Sequence, residues 1–348
     1  MASPALPIDR VARLAGGTPL SMSALGGGRN SQVFRLDMED GRALALKAYF
    51  RHAGDPRDRL GTEFRALTFL WEQGIRCVPQ PLAFDTVAGL GLFEFIEGIQ
   101  QKVPSDADVD AAWRFLVTLK TLSTVPSAQR LPNASEAHFS LQIVAEHIEN
   151  RLARLTNVDL ELAEASGLSQ FLDSDLVPAW RGLLDDCRQG CRRSGLSFEA
   201  PLPQAQRTLS PSDFGFHNAL KRQEGMVFLD FEYFGWDDPA KMLADFLLHP
   251  GMELSLGHRQ RFAAGLLDHM ELEHLAQRTR LCFPLFGIKW CLILLNEFLK
   301  GPLDRRTFAD PELRSAEERQ AQQLGKARLK LRQLLDDHDH FPYFSHES

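Results

Sequence analysis

Apolar residues alternate with polar or small residues near the start of the chain, and this period of two is typical of β-strands. The Asp40-Gly41 dipeptide lies between two such runs and is a strong signal for a tight hairpin turn. The pattern therefore predicts an antiparallel sheet in the N-terminal part of the chain. Its first strand ends before Gly26, and the others cover residues 33–38, 42–49, 77–84 and 90–96.

From residue 105 onward the apolar spacing lengthens to three or four positions, which predicts amphipathic helices. One more helix is predicted earlier, over residues 57–72, and Gly74 suits its C-terminal cap. The most apolar stretch, Leu281 to Leu299, is interrupted by Pro284 and by polar residues, so it is interpreted as a buried helix and not as a membrane span. The later helices are predicted at about 105–122, 137–155, 168–194, 240–248, 257–276, 280–300 and 312–335, with Asp310-Pro311 as the start of the last.

The most informative stretch is residues 208–232, where polar side chains surround a predicted hairpin. Asp213 and Asn218 lie in a segment rich in Ser, Pro and Gly, which favours a loop over a helix. The apolar run that follows predicts a strand ending at Asp230. In such a hairpin Asp230 and Asn218 could ligate a hard divalent cation, while Asp213 could take a proton from a hydroxyl. The spacing, Asp-x4-Asn followed by another Asp twelve residues later, is similar to the phosphoryl-transfer arrangement of kinases.

A lysine on the third predicted strand is the next candidate. The leucines of that strand face one side, whereas Ala45 and Lys47 face the other. A lysine on this small-residue face requires a partner or a ligand, and Ala45 leaves room for a flat ring. Glu63, on the predicted helix 57–72, is the expected partner, because such an ion pair fixes a lysine on nucleotide phosphates. Taken singly, Glu63 would be an ordinary solvated carboxylate.

A glycine run, Gly26-Gly27-Gly28, lies where the first strand turns into the second, and Asn30 and Ser31 follow it. Glycines let backbone N–H groups approach a phosphate closely, which makes this segment a candidate nucleotide loop. A flexible loop is the usual meaning of such a run.

After the last predicted strand, FEFIEG leads into a polar, proline-containing connector, which predicts a hinge between two lobes. The backbone groups of Glu94 and Ile96 could pair there with an adenine edge. The expected domains are residues 1–98, which bind the nucleotide, and residues 99–348, which carry the catalytic and substrate-binding groups.

Composition narrows the possible partners. The net charge is −7; residues 1–98 are balanced, and the remainder holds 28 basic against 35 acidic residues. This argues against nucleic acid and favours a neutral or cationic substrate, although an acidic solvated surface explains it equally well. The five cysteines form no CxxC pair and no apolar leader is visible, so a reduced, cytoplasmic protein is expected.

These motifs, in this order, resemble the aminoglycoside-phosphotransferase and choline-kinase group of small-molecule kinases over roughly residues 22–300. The resemblance implies an α+β, bilobal, protein-kinase-like fold, with a small N-terminal lobe of antiparallel sheet plus helix and a larger, mostly helical C-terminal lobe. It also implies ATP and Mg²⁺ as cofactors, with GTP left open. LALK resembles the lysine motif, FEFIEG the hinge, SDFGFHN the catalytic loop and LDFEYFGWDDP the metal-binding segment. On these matches Asp213 is the base, Asn218 and Asp230 are metal ligands, and Lys47 with Glu63 binds phosphate.

The chain departs from the family pattern in two places. Members usually have a histidine two residues before the catalytic aspartate, where this chain has Pro211, followed by Ser212, and the change puts the rigidity of the loop in question. Members also usually have an aspartate three residues after the proline of the Asp238-Pro239 step. This chain has Met242 there, and Asp245, one helical turn on, could substitute.

The leading hypothesis is a kinase that phosphorylates a hydroxyl of a small molecule. A catalytically silent kinase fold used for binding or scaffolding is the alternative of another class; the Pro211-Ser212 pair motivates it, and the five filled polar positions argue against it. A protein kinase ranks lower. Asp213-Phe214-Gly215 spells the metal-binding triplet of that class, but no Asp-x4-Asn precedes it in residues 185–212, and neither a long activation segment nor an Ala-Pro-Glu ending follows Asp230.

The sequence leaves the acceptor open among an antibiotic, choline, a sugar and an amino acid, and it leaves the oligomeric state open as well. Tyr233 and Trp236 could form part of an aromatic wall for a cationic amine, or could equally belong to the core.

Overall fold

The structure, a computed structural model, describes residues 6–26, 31–50, 57–101, 103–159, 167–299 and 315–344. A small lobe built on an antiparallel sheet is followed by a larger, mostly helical lobe, so the predicted bilobal α+β fold is confirmed. The strands are β1 (Pro19–Leu25), β2 (Ser31–Met38), β3 (Ala43–Tyr49), β4 (Pro81–Asp85), β5 (Leu90–Glu94), β6 (Thr208–Ser210), β7 (Ala219–Arg222), β8 (Gly225–Phe228) and β9 (Gly235–Asp237). The α-helices are α1 (Ile8–Ala15), α2 (Arg59–Glu72), α3 (Asp106–Leu122), α4 (Leu141–Thr156), α5 (Leu168–Phe171), α6 (Val177–Ser194), α7 (Pro239–Leu248), α8 (Leu256–His269), α9 (Leu275–Leu294) and α10 (Ala316–His340).

Five strands form the sheet of the first lobe, in the order β1-β2-β3-β5-β4. The turn between β2 and β3 is the predicted one: Gly41 has a φ of +81°, which glycine adopts without steric cost, and its N–H donates to the carbonyl of Met38 over 3.0 Å. One face of the sheet packs against α1. The other face, with Ala45 and Phe93, packs against α2 and continues into the core of the second lobe.

Two features of this lobe differ from the sequence prediction. Helix α1 was not predicted; it covers the sheet through Val11 and Ala15, which are buried. Strand β4 begins at Pro81 instead of residue 77, because Pro79 and Pro81 lack the N–H groups that a longer ladder needs.

Helix α9 lies at the centre of the second lobe and packs against α4, α6, α7 and α10. Together with the 3-10 turn Leu295–Phe298, it is the only helix in the described ranges that is long and apolar enough to cross a membrane, yet 78% of its most apolar window is buried inside the protein. The interpretation of this stretch as a core helix agrees with that burial.

The helix boundaries near residue 270 differ from the prediction. The helix predicted over 257–276 ends at His269, because Glu271 and His274 have positive φ values of +48° and +62°, which an α-helix excludes. Helix α9 therefore starts at Leu275, earlier than predicted. The start predicted at Asp310-Pro311 lies outside the described residues, and α10 continues to His340.

Candidate active site

The lysine of β3 joins the two lobes. Lys47 Nζ donates to Glu63 Oε2 on α2 and to Asp230 Oδ1 of the second lobe, each over 2.7 Å. The hydroxyl of Tyr49 donates to the same Glu63 oxygen over 2.6 Å. Burial alone lowers the pKa of Lys47, but the charges of Asp230, Glu63 and Glu232 outweigh it and hold that pKa well above its ordinary value. Lys47 is therefore a fixed positive charge at the interface of the lobes.

Three carboxylates surround that lysine, and together with Lys47 they are called the cleft cluster here: Glu63, Asp230 and Glu232. One oxygen from each carboxylate lies within 4.8 Å of the others. Burial, followed by the charge of Asp230, raises the pKa of Glu232 to about 7. Arg59 lies 3.7 Å from Glu232, so two cations face three carboxylates. Clustered carboxylate oxygens with this charge balance are the donor set that a hard divalent cation prefers.

Asp230 reaches the cleft cluster through an unusual backbone conformation. It lies two residues after the end of β8 and has a φ of +64°, in the left-handed region that few non-glycine residues adopt. The hairpin β7–β8 predicted from the sequence delivers it, and Leu229 N–H donates to the carbonyl of Asn218 over 2.8 Å at the open end of that hairpin. Asn218, just before β7, and Asp230, just after β8, therefore lie side by side at the same end of the hairpin.

Asp213 lies on the loop between β6 and the 3-10 turn Phe216–Asn218. Asn218 Nδ2 donates to the backbone carbonyl of Asp213 over 3.0 Å, which fixes the loop and leaves the amide oxygen of Asn218 for another partner. The predicted base and the two predicted metal ligands are thus brought to one end of the β7–β8 hairpin.

Two histidines flank the carboxylate of Asp213. His217 Nε2 and His249 Nε2 each lie 3.2 Å from Asp213 Oδ1, and the two rings stack with their centroids 3.9 Å apart. Burial alone raises the pKa of Asp213, but the hydrogen bonds from His217 and His249 outweigh it and hold that pKa well below its usual range. Asp213 is therefore a carboxylate at neutral pH.

The same three groups are close enough to ligate a metal ion, since one atom from each lies within 4.8 Å of the others. The tautomer of His249 argues against that use. Gly251 N–H donates to His249 Nδ1 over 3.0 Å, so in a neutral ring the proton is on Nε2, the nitrogen that faces Asp213. The arrangement is a set of hydrogen bonds that orients the carboxylate.

Three residues of this site were not predicted. Glu232 had a usable signal, because it stands two residues after Asp230 and alternation places both carboxylates on one side of an extended segment. His217 lies in the predicted catalytic loop, but sequence spacing gave no role to it. His249 follows α7 and meets Asp213 only through tertiary packing, so no sequence signal identifies it.

The other predicted nucleotide-binding residues lie along the sheet. Gly26 is exposed at the end of β1, whereas Gly27, Gly28 and Asn30 lie outside the described residues. Ser31 opens β2 opposite Tyr49 and is almost fully buried.

Ala45 pairs across the sheet with Phe93, as the small residue beside Lys47. At the predicted hinge, the N–H of Glu94 donates to the carbonyl of Gln80 over 2.8 Å, so that N–H is already used. Ile96 follows as a buried residue.

The aromatic wall considered for an amine is not formed. Trp236 is 6% exposed and its Nε1 donates to the carbonyl of Ala128 over 3.1 Å, so it belongs to the core. The Tyr233 ring has the guanidinium groups of Arg57 and Arg59 about it, at 5.9 and 6.0 Å. A ring already next to two cations is a poor site for a third.

Several solved structures share this architecture. A spectinomycin phosphotransferase in complex with ADP and spectinomycin has a TM-score of 0.59 and 14% identity, covering 91% of this chain and 98% of that one. The choline kinase LicA from Streptococcus pneumoniae has a TM-score of 0.57 and 16% identity, covering 90% and 94%. A choline/ethanolamine kinase family protein from Mesorhizobium loti has a TM-score of 0.54 and 18% identity, covering 92% of each chain. Similarity at this level of identity establishes the fold.

The family follows from the sequence match. No curated protein matches the chain significantly. Residues 21–281, more than half of the chain, match the model of the phosphotransferase enzyme family (APH), and this segment contains Lys47, Asp213, Asn218 and Asp230. With the kinase-like fold and the cleft between the lobes, this match shows that the chain belongs to the phosphotransferase enzyme family.

Proposed function

We propose that this protein is an ATP- and Mg²⁺-dependent kinase that phosphorylates a hydroxyl group of a small molecule. One observation carries the proposal: Lys47 of the first lobe lies 2.7 Å from both Glu63 and Asp230, the latter at the end of the hairpin that follows Asp213. A lysine, a metal-type carboxylate and a hydroxyl-facing carboxylate around one cleft are the parts that phosphoryl transfer needs.

The cleft cluster suits Mg²⁺ because its donors are hard oxygens and its carboxylates outnumber the cations near them. Asp230, Glu232 and the amide oxygen of Asn218 would hold the ion. The bound ion would supply positive charge that neutralises the phosphate groups.

The protein's own groups have separate roles in this proposal. Glu63 holds Lys47 in place, and Lys47 exchanges its contact with Asp230 for the phosphate oxygens of ATP. Asp213 accepts a hydrogen bond from the acceptor hydroxyl, aligns it for attack and takes its proton. Because the pKa of Asp213 is held low, alignment and charge neutralisation contribute more to the rate than proton abstraction does.

The acceptor is assigned to a cavity of about 230 Å³ lined by residues next to His217, which contacts Asp213. His217 lines it, and its other polar side chains are the amides of Gln100 and Gln101 and the carboxylate of Glu253. Among the described lining residues none is Lys or Arg, which favours a neutral or cationic acceptor over an anionic one.

A screen of hydroxyl-bearing metabolites with purified protein, Mg²⁺ and ATP tests the proposal, with transfer of phosphate to the acceptor measured by mass spectrometry. Asp213→Asn should keep nucleotide binding and lose roughly 10²–10⁴-fold in turnover. Asp186→Asn is the matched control, because Asp186 also lies 3.4 Å from a histidine nitrogen but far along the chain from these motifs. Near-normal turnover in Asp213→Asn would contradict the assignment of the base.

The same screen separates the alternatives. Stabilisation by ATP without transfer to any acceptor would support a kinase fold that only binds nucleotide, and phosphate on protein would support a protein kinase. Repeating the screen with GTP identifies the nucleotide. The proposal includes a cytoplasmic location, where ATP is present and the five cysteines, all free, would stay reduced.

A further inference from the structure

The residue before the proposed base has a strained backbone. Ser212 has a φ of +69°, a left-handed conformation that disfavours any residue with a Cβ atom. Two hydrogen bonds hold it: Ser212 N–H donates to Ser210 Oγ over 3.0 Å, and Lys241 Nζ donates to Ser212 Oγ over 3.3 Å. A strained residue persists only when its surroundings determine its conformation, so these contacts set where Asp213 points.

Lys241, on α7, is fully buried and belongs to a group called the core cluster here: Lys241, Asp237 and Asp245. Its Nζ lies 2.6 Å from Asp237 Oδ2 and 3.2 Å from Asp245 Oδ2. Burial alone lowers the pKa of Lys241, but the two carboxylates outweigh it and raise that pKa above its ordinary value. A buried ammonium with two carboxylate partners has a single favourable position, and that position contacts Ser212.

The core cluster is also linked to the carboxylate of Asp213, through Trp290 and His249. Trp290 Nε1 donates to Asp245 Oδ1 over 3.0 Å. The Trp290 ring meets the His249 ring edge to face, with centroids 4.6 Å apart, and His249 Nε2 lies 3.2 Å from Asp213 Oδ1. One set of contacts therefore holds both the backbone before Asp213 and the carboxylate itself.

We propose that the core cluster, Trp290 and His249 form a brace that positions Asp213. Lys241 holds the backbone through Ser212, and Asp245 holds the His249 ring through Trp290. These are positioning residues, because they act through Asp213. The inference rests on the proposed kinase function.

Trp290→Phe tests the contacts that lead from Asp245 through Trp290 and His249 to the carboxylate of Asp213. It keeps a ring against His249 and removes the N–H that holds the ring to Asp245. The chain offers a matched control in Trp113, whose Nε1 also donates to an aspartate, Asp110, over 3.0 Å and whose ring stacks on a histidine, His269, at 4.6 Å. Trp290→Phe should lower kcat about tenfold with little change in the KM for ATP, a loss equivalent to one net hydrogen bond, whereas Trp113→Phe should change neither.

His249 itself gives a rescue test. His249→Phe keeps the stacked ring but lacks the donor to Asp213, so kcat should fall by about tenfold or more. His249→Gln offers an N–H donor at a similar reach and should recover part of that loss. Equal kcat values in the two variants would overturn the role of the donor.

Ser212 gives the backbone test. Ser212→Ala keeps the strained φ and loses the hydroxyl, while Ser212→Gly loses the hydroxyl but adopts the left-handed conformation freely. Both should lower kcat, although Ser212→Gly should melt at a higher temperature than Ser212→Ala. Wild-type kcat in both variants would overturn the role of the Lys241–Ser212 contact in positioning Asp213. A merely structural role predicts changes in the melting temperature only.

Different results would contradict the proposed function and the brace. If the unmodified protein transfers no phosphate in the screen, the proposed function fails. If it is active and Trp290→Phe, His249→Phe and Ser212→Gly all keep its kcat, the brace fails while the kinase remains. Nucleotide-dependent melting of each variant shows that its fold and nucleotide site are intact.

Discussion

The cleft cluster and the core cluster share one local chemistry and differ in their surroundings. Each places a lysine Nζ within 3.2 Å of two carboxylates. The Asp230 side chain is 35% exposed to the cleft, whereas Lys241 and Asp237 of the core cluster are at most 1% exposed. Solvent can therefore replace Asp230 as a partner in the first cluster and cannot replace Asp237 in the second.

This difference decides what each cluster can do. A partly exposed ion pair can exchange one carboxylate for a ligand at small cost, because water stabilises the carboxylate that is released. A fully buried pair leaves an uncompensated charge if either partner moves away. A lysine between two carboxylates therefore does not identify a ligand site by itself; access to the cleft does.

The largest effect on stability should come from Lys241→Met. It leaves Asp237 buried without its cation, and breaking a buried pair in this way costs about 3–5 kcal/mol. Urea denaturation measures the free energy of unfolding. A loss as small as that of a surface substitution would show that the core cluster is not a closed ion pair.

Lys47→Met should affect catalysis as well as stability. Turnover should fall roughly 10²–10³-fold as a charge facing the phosphates is lost. The free energy of unfolding should fall too, because Glu63, whose side chain is 6% exposed, loses its lysine partner. Lys120→Met is a suitable control, since the partners of Lys120 Nζ within the described part of the chain are two backbone carbonyls, those of Ala205 and Arg207. If Lys47→Met kept its turnover, the cleft cluster would have no role in catalysis.

The smallest effect concerns the pH dependence of stability. The pKa of Glu232 is about 7 in the folded protein against an ordinary value of 4.5, so the folded state binds more protons than the unfolded state between those values. Stability attributed to this group is complete below about pH 4.5 and is lost as the pH rises through 7, at no more than about 1.4 kcal/mol per pH unit.

Glu232→Gln should remove that slope, so in metal-free buffer the variant should gain stability relative to the parent protein as the pH rises from 5 toward 8. Added Mg²⁺ should stabilise the parent more than the variant, because a metal ligand is lost. A constant difference across this pH range would show that Glu232 is already ionised in the core of the cleft cluster.

Much of the cleft cluster could be predicted, because its residues are tied to local patterns. Strand alternation separated Lys47 from the leucines of β3, the helix pattern placed Glu63, and the turn at Gly225 brought Asp230 back beside Asn218. Each of these signals spans only a few residues. The direct contact between Lys47 and Asp230 was not predicted, because it depends on how the two lobes pack.

The brace could not be predicted, since its contacts depend on how distant elements pack. His249 is 36 residues after Asp213, and Trp290 lies on another helix. The expectation that Asp245 could replace an aspartate absent at Met242 concerns a residue of the proposed brace and stays a prediction. It did not identify Lys241. Because α7 is buried on nearly all sides, the helix has no polar face whose pattern could have marked this lysine.

The packing of α10 on α9 also affects how the chain is made. Leu324, Leu331 and Leu334 of α10 are buried against α9, and Gly287 of α9 lies so close to Leu334 that a Cβ there would come within 2.2 Å of that side chain. Because α10 begins at Ala316, a growing polypeptide emerges from the ribosome with α9 while the face that α10 covers is still exposed. Chaperones that attend translation should therefore bind this segment, and a chain truncated before α10 should be cleared by quality control even though it contains all of residues 21–281, the part that matches the family.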